Sequence, residues 1–295
     1  MPHCTRGGAV AATSGRGPSV AALLGWASRE LAACGIPSPA REARALLTLA
    51  CFGDRPAPSS RLSPFLRGRF RRLVAARGRG VPLPLLEGRT GFLDFELKVW
   101  PGVLIPRPET EGLAELAIRI ALGLPPNPRA LDLGTGTGAL ACALARARPD
   151  LLVLAVDIDR RALACARWNV AALGLESRVE LRRSHWFSQV PERFHLIVSN
   201  PPYVARHEFS ALPHEVRRFE ARQALDGGER GLEALVHIVQ KAPERLFPGG
   251  WLLLELAPGQ GEDLIRFAQA TRCLVETRVE KDLAGKERYF IGRCR

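Results

Sequence analysis

LDLGTGTGAL, residues 131–140, joins a short apolar strand to a helix through a turn with glycine at 134, 136 and 138. Glycines in this arrangement permit positive φ and let a ligand approach the backbone, and the helix that follows presents free N–H groups. Asp132, just before the turn, can accept a hydrogen bond from an ammonium group. A dehydrogenase fingerprint would read G-x-G-x-x-G; here the third glycine comes one residue early.

The same alternation continues from Arg129 onward. ALDL (130–133), LLVLAV (151–156), Val179–Arg182, FHLIVS (194–199) and WLLLEL (251–256) read as strands. Helices are expected from Ala139 to Arg146, Arg160 to Leu173, 231 to 246 and Gly261 to Ala270, and two last strands near 274–280 and 287–293 form an antiparallel hairpin at the sheet edge. This pattern predicts an α/β fold, a mostly parallel sheet with helices on both faces.

The first third differs. Apolar spacing predicts helices over 19–33 with Ser19 as N-cap, over Pro39–Cys51 with Ser38 as cap, and over Pro64–Ala76. The expected organisation is a disordered tail at 1–17, a helical domain at 18–80, a β-hairpin linker at 81–106 and the α/β domain at 107–295. In the linker, Phe92, Phe95, Leu97 and Val99 sit in short extended pieces, and a helix is expected to start near Thr110 and run to Leu122.

Charge follows the same division. Of the formal net charge of +12, residues 1–90 carry +10, from 14 Arg against four acids. A solvated arginine face or a phosphate-binding surface would both give this imbalance. No run of 18 apolar residues occurs, so no transmembrane helix is expected. Seven cysteines with no C-x-x-C pair fit reduced thiols in a cytoplasmic protein, and no metal site is expected. The tail has some transit-peptide character in composition, but glycines and Pro2 break any amphipathic helix.

Three further motifs carry chemistry. VDID (156–159) ends the second strand of the α/β part, and Asp157 is placed to take two ribose hydroxyls while Asp159 can cap the next helix. Trp186 of SHWF either stacks on an adenine ring or packs as an ordinary core residue. In SNPPY (199–203), Asn200 and Pro201 each precede a proline and are held extended, and Pro201 and Pro202 cannot donate to a ladder. The Asn200 side-chain oxygen and the Pro201 carbonyl can then grip both hydrogens of a planar NH₂ group, with the Tyr203 ring over its π face. The nitrogen of such a group is a poor nucleophile because its lone pair is delocalised. Orienting it toward an electrophile contributes several kcal/mol, up to about 7–11 in ideal cases.

Together these residues resemble the class I S-adenosylmethionine-dependent methyltransferases, whose fold is Rossmann-like. The helical N-terminal domain, IPRPETE (105–111), DLGTGTG (132–138), NPPY (200–203) and ALDGGERGL (224–232) narrow the likeness to the release factor glutamine methyltransferases, the HemK/PrmC family. The resemblance spans about residues 19–293. It implies methyl transfer from S-adenosyl-L-methionine to the glutamine of the Gly-Gly-Gln motif in class I peptide-chain release factors. It also implies that Asp132, Gly134, Thr135, Gly136, Thr137, Gly138, Asp157, Trp186 and Asn200 contact the cofactor, and that Asn200, Pro201, Pro202 and Tyr203 hold the amide. The helical domain would help dock the release factor, with no direct nucleic-acid binding, in a monomer. The chain departs from the family's pattern at His185, where an acid is usual, at Ala221, where Glu-Pro is frequent, and at Leu85, where an aromatic is usual. The alternative is an adenine amino-group methyltransferase acting on DNA or RNA, which shares NPPY and would use the +10 segment on phosphates.

Overall fold

The structure is a computed structural model that describes residues 17–295. The tail expected at 1–17 therefore lies outside the described residues except for Gly17. The described chain divides into two compact units, one ending at Glu87 and one beginning at Gly88.

The first unit is helical: α1 (Val20–Ala33), α2 (Pro39–Ala50), α3 (Pro64–Gly78) and a short α4 (Leu83–Glu87). The apolar stripes of α1, α2 and α3 meet in one core that includes Leu23, Leu31, Leu46, Phe70 and Val74. Ser19 caps α1 by accepting from Ala22 N, as its position predicts. Ser38 does not cap α2. It sits at φ 51° with no side-chain bond to the helix, and Pro39 at the helix start supplies the fixed φ instead. The buried Arg77 pairs with Glu42 of α2.

The second unit opens with the hairpin β1 (Arg89–Phe92) and β2 (Phe95–Lys98). Next come α5 (Pro108–Leu122), β3 (Arg129–Leu133), α6 (Ala139–Ala147), β4 (Leu152–Asp157), α7 (Arg160–Ala172), β5 (Val179–Arg183) and β6 (Phe194–Ser199). After α8 (His214–Phe219) the chain forms α9 (Glu233–Lys241), β7 (Leu246–Glu255), α10 (Gly261–Thr271), β8 (Leu274–Lys281) and β9 (Glu287–Cys294). The sheet order is β5-β4-β3-β6-β7-β9-β8. In this sheet only β9 runs against the other strands, so the expected antiparallel β8–β9 hairpin is there, with β9 inserted beside β7 and β8 forming the edge.

Successive strand residues serve opposite faces. Ala130, Val153, Ala155 and Val198 pack with α5, α6 and the hairpin phenylalanines, whereas Leu131, Leu133, Leu154 and Ile197 pack with α9 and α10. Burial on both faces is why these strands read as unbroken apolar runs. Three expected boundaries shift. The helix expected over 231–246 stops at Lys241 and tightens into a 3₁₀ turn at Ala242–Arg245, where Pro243 removes a backbone donor. The strand expected at 251–256 begins earlier, at Leu246, and its pairing with β6 slips between Phe194 and Leu196. The helix α5 starts at Pro108, two residues before Thr110.

Candidate active site

The strand order reverses between β3 and β6: the chain runs outward through β3, β4 and β5, then returns to the other side of β3. Open α/β sheets bind ligands at the carboxyl ends of the strands at such a point. Here Leu133 and Ser199 are register partners, and Ser199 Oγ donates to Leu133 O at 2.6 Å. The glycine turn and Asn200 therefore leave the sheet side by side. Val156 pairs with Leu133 on one flank and Leu254 with Ser199 on the other, which brings Asp157 and Glu255 into the same row.

A cavity of about 390 Å³ opens over this row, within the range of small-molecule sites. Gly134, Thr135, Gly136, Thr137, Asp157, Trp186, Asn200 and Pro202 line it, together with Thr110 and His237. Asp132, Gly138, Pro201 and Tyr203 are not part of its lining. Asp132 and Pro201 are buried behind it, Gly138 starts α6, and Tyr203 is partly buried against the core.

The cofactor half is built around the turn. Gly134, Gly136 and Gly138 have φ of 70°, 56° and 84°. An added Cβ at Gly136 would meet no protein atom within 4 Å, whereas one at Gly134 would lie 3.9 Å from Trp186 Cζ3. The cradle is thus open at its centre and walled by the Trp186 ring. Gly134 N and Thr135 N both donate to Val156 O at 2.9 Å, and Asn169 Nδ2 donates to Thr137 O at 2.8 Å, fixing the turn from both sides. Asp157 Oδ2 accepts from Gly136 N and Oδ1 from Asp159 N, each at 2.9 Å. Each of these oxygens keeps a second lone pair for a ligand hydroxyl. Asp159 caps α7 by accepting from Arg161 N at 2.8 Å.

Asp132 Oδ2 accepts from Thr135 Oγ1 at 2.6 Å and from Ala141 N at 3.2 Å. Its Oδ1 is buried and has no partner among the described residues. Burial pushes this carboxyl up to about 7, against the pull of those two donors. An orphaned acceptor behind an open glycine cradle, with a ribose-type acid and a Trp ring beside it, fits an adenosine-containing cationic ligand.

The other half centres on Asn200. Asn200 Nδ2 donates to Thr110 Oγ1 at 2.9 Å, and Thr110 Oγ1 donates to Glu255 Oε2 at 2.8 Å. Tyr203 Oη donates to the other oxygen of Glu255 at 2.9 Å. Glu255 is fully buried, and desolvation pushes its carboxyl above the usual range while the two hydroxyl donors pull it down. The stretch after NPPY is clamped by glycines: Gly227 N donates to Val204 O, and a Cβ at Gly227 would come 2.7 Å from Tyr203 Cα. Gln260 Nε2 donates to Tyr203 O and Gly231 O at 3.0 and 3.1 Å. Glu233 closes the GGERG loop by accepting from Glu229 N and Leu232 N.

Two wall segments are tied by Arg107, whose Nη2 donates to Glu220 Oε1 at 2.5 Å, and by Gly102 N, which donates to Phe219 O. Sequence reasoning singled out neither Thr110 nor Glu255 as a site residue. The one available signal for Glu255 was an acid set inside the apolar run WLLLEL, at the carboxyl end of a parallel strand. Thr110 gave no signal, because a threonine in a first helical turn is common.

The Methyltransferase small domain family matches residues 120–229. The release factor glutamine methyltransferase of Cereibacter sphaeroides is 43% identical over 270 residues, covering 89% of this chain and 94% of the relative. That of Moorella thermoacetica is 38% identical, covering 91% and 96%. Among solved structures, the T. Thermophilus 16S rRNA N2 G1207 methyltransferase, in complex with AdoMet and guanosine, superposes with a TM-score of 0.51 at 22% identity, over 70% of this chain and 50% of that one. This structural likeness supports the fold alone.

Proposed function

The chain belongs to the release factor glutamine methyltransferase family, and from that premise we propose that it methylates the side-chain amide nitrogen of the glutamine in the Gly-Gly-Gln motif of class I peptide-chain release factors. Such a modification would modulate translation termination. S-adenosyl-L-methionine supplies, when bound, an activated methyl group on a sulfonium sulfur.

The observation that carries this reading is the single cavity holding both the glycine cradle and Asn200. Asp132, behind the cradle, would take the ammonium group, Asp157 the ribose hydroxyls and Trp186 the adenine face. Gly134 to Thr137 leave room for close approach, and Gly138 lets the chain turn into α6. Asn200 Oδ1 and the Pro201 carbonyl accept the two amide N–H bonds, and Pro202 holds that backbone rigid. The acceptors stabilise positive charge that develops on the amide nitrogen, and after transfer the departing proton leaves through Asn200 or to water. Tyr203 anchors the far end of the motif through its hydroxyl on Glu255. No covalent enzyme intermediate is needed.

The chain acts as a cytoplasmic monomer in this reading, with the helical unit helping to dock the release factor. No helix among the described residues is long and apolar enough to cross a membrane. Incubation with methyl-labelled cofactor and either a release factor or DNA tests the assignment. Label in the release factor that disappears in its Gln→Asn variant is the expected result. Label in DNA would establish the adenine amino-group alternative instead.

A further inference from the structure

We propose that Thr110 and Glu255 are positioning residues that fix which end of the Asn200 amide faces the substrate. The inference rests on the glutamine-methylating reading above. It starts from hydrogen-bond polarity.

An ionised carboxylate can only accept. Glu255 is fully buried and takes a hydroxyl on each oxygen, Thr110 on Oε2 and Tyr203 on Oε1. Thr110 has one hydroxyl proton, and it is spent on Glu255. Toward Asn200 its oxygen can therefore only accept, so the NH₂ end of Asn200 must face Thr110, as the 2.9 Å bond from Nδ2 shows. The carbonyl end is left for the cavity, where Oδ1 takes no hydrogen bond from the described residues. The orientation of an amide is otherwise nearly degenerate, since its O and N ends have almost the same shape. Thr110 of α5 and Glu255 of β7, the latter held on its other oxygen by Tyr203, remove that degeneracy.

The consequence is selectivity for a donor. A cavity that offers Oδ1 welcomes the NH₂ of a glutamine side chain and repels the acceptor-only carboxylate of a glutamate. Glu255→Gln changes the logic without changing the shape. A glutamine there can donate to Thr110, which frees the threonine proton to bond Asn200 Oδ1. Asn200 then turns, and its NH₂ end faces the substrate.

The test compares wild type, E255Q, T110V and T110S. It measures methyl transfer to the release factor, cofactor affinity by calorimetry, melting temperature, and competition by release factor carrying Gly-Gly-Glu in place of Gly-Gly-Gln. Wild type should favour the glutamine form by about tenfold or more. In E255Q turnover should fall about 100-fold, with cofactor affinity within about twofold of wild type, and the preference for glutamine should vanish or reverse. T110V should lose turnover and preference together, and T110S should recover most of both, because serine keeps the hydroxyl. If E255Q does not fold, the T110V and T110S pair decides.

Turnover within about threefold of wild type in the folded variants, an unchanged glutamine preference, or equal loss in T110S and T110V would overturn the inference. A wild-type chain that labels no glutamine would instead overturn the functional reading, so the two failures are distinguishable.

Discussion

The two halves of the cavity are assembled differently. The cofactor half uses residues from consecutive strand–turn–helix units: the turn at 132–138 donates from Gly134 N and Thr135 N to Val156 O and from Gly136 N to the Asp157 carboxylate. The amide half gathers Thr110, Asn200, Tyr203 and Glu255, up to 145 positions apart, through side-chain bonds. A half made by local backbone geometry binds a ligand common to many chemistries. A half made by long-range side-chain contacts can choose the group that reacts.

The contrast predicts that the halves can be damaged separately. The largest effect is expected for Asn200→Ala: turnover should fall by about 100- to 1,000-fold, while cofactor affinity measured by calorimetry stays close to wild type. Comparable losses in both would dissolve the distinction. Gly136→Val should do the reverse. A β-branched residue at φ 56° costs about 1–3 kcal/mol, and its Cβ projects into the open cradle, so cofactor affinity should weaken by about tenfold or more.

Arg107→Ala should touch both halves, because it unties a wall they share. It leaves the buried Glu220 carboxylate without its cation, and Oε2 already has no partner among the described residues. Arg107 is about one-third exposed, so a loss of about 1–2 kcal/mol is expected, below the value for a fully buried pair, and seen as a fall in melting temperature.

The smallest effect isolates the cofactor half. With the Asp132 carboxyl at about 7, it is neutral below that pH and charged above it. An ammonium group prefers the charged form, so cofactor affinity should fall several-fold as pH drops from about 8 to about 6. Asp132→Asn should flatten that profile.

Much of the fold was legible because its signals are local. Apolar runs of four to six residues, buried on both faces, announced β3, β4 and β6, and Ser19 and Asp159 capped the helices they precede. Ser38 misled because its side chain was read without its backbone, which is left-handed at φ 51°. The short helix α8 was missed because it carries little apolar periodicity, and it is held by contacts such as Gly102 N to Phe219 O. The departure at Ala221 leaves the preceding Glu220 still paired with Arg107, so the proline usual there is not needed for the clamp.

By itself the sequence determined the glycine turn, the acid at the end of the next strand and the proline-locked Asn200, because each depends on φ restrictions and spacing within a few residues. Only the tertiary structure decided that Leu133, Val156, Ser199 and Leu254 stand in register, so that those motifs meet at one cavity with the buried Glu255 in the same row. It also decided which way the Asn200 amide points. That orientation depends on where one hydroxyl proton goes, and the carboxylate that claims it lies 145 positions from Thr110 in the chain.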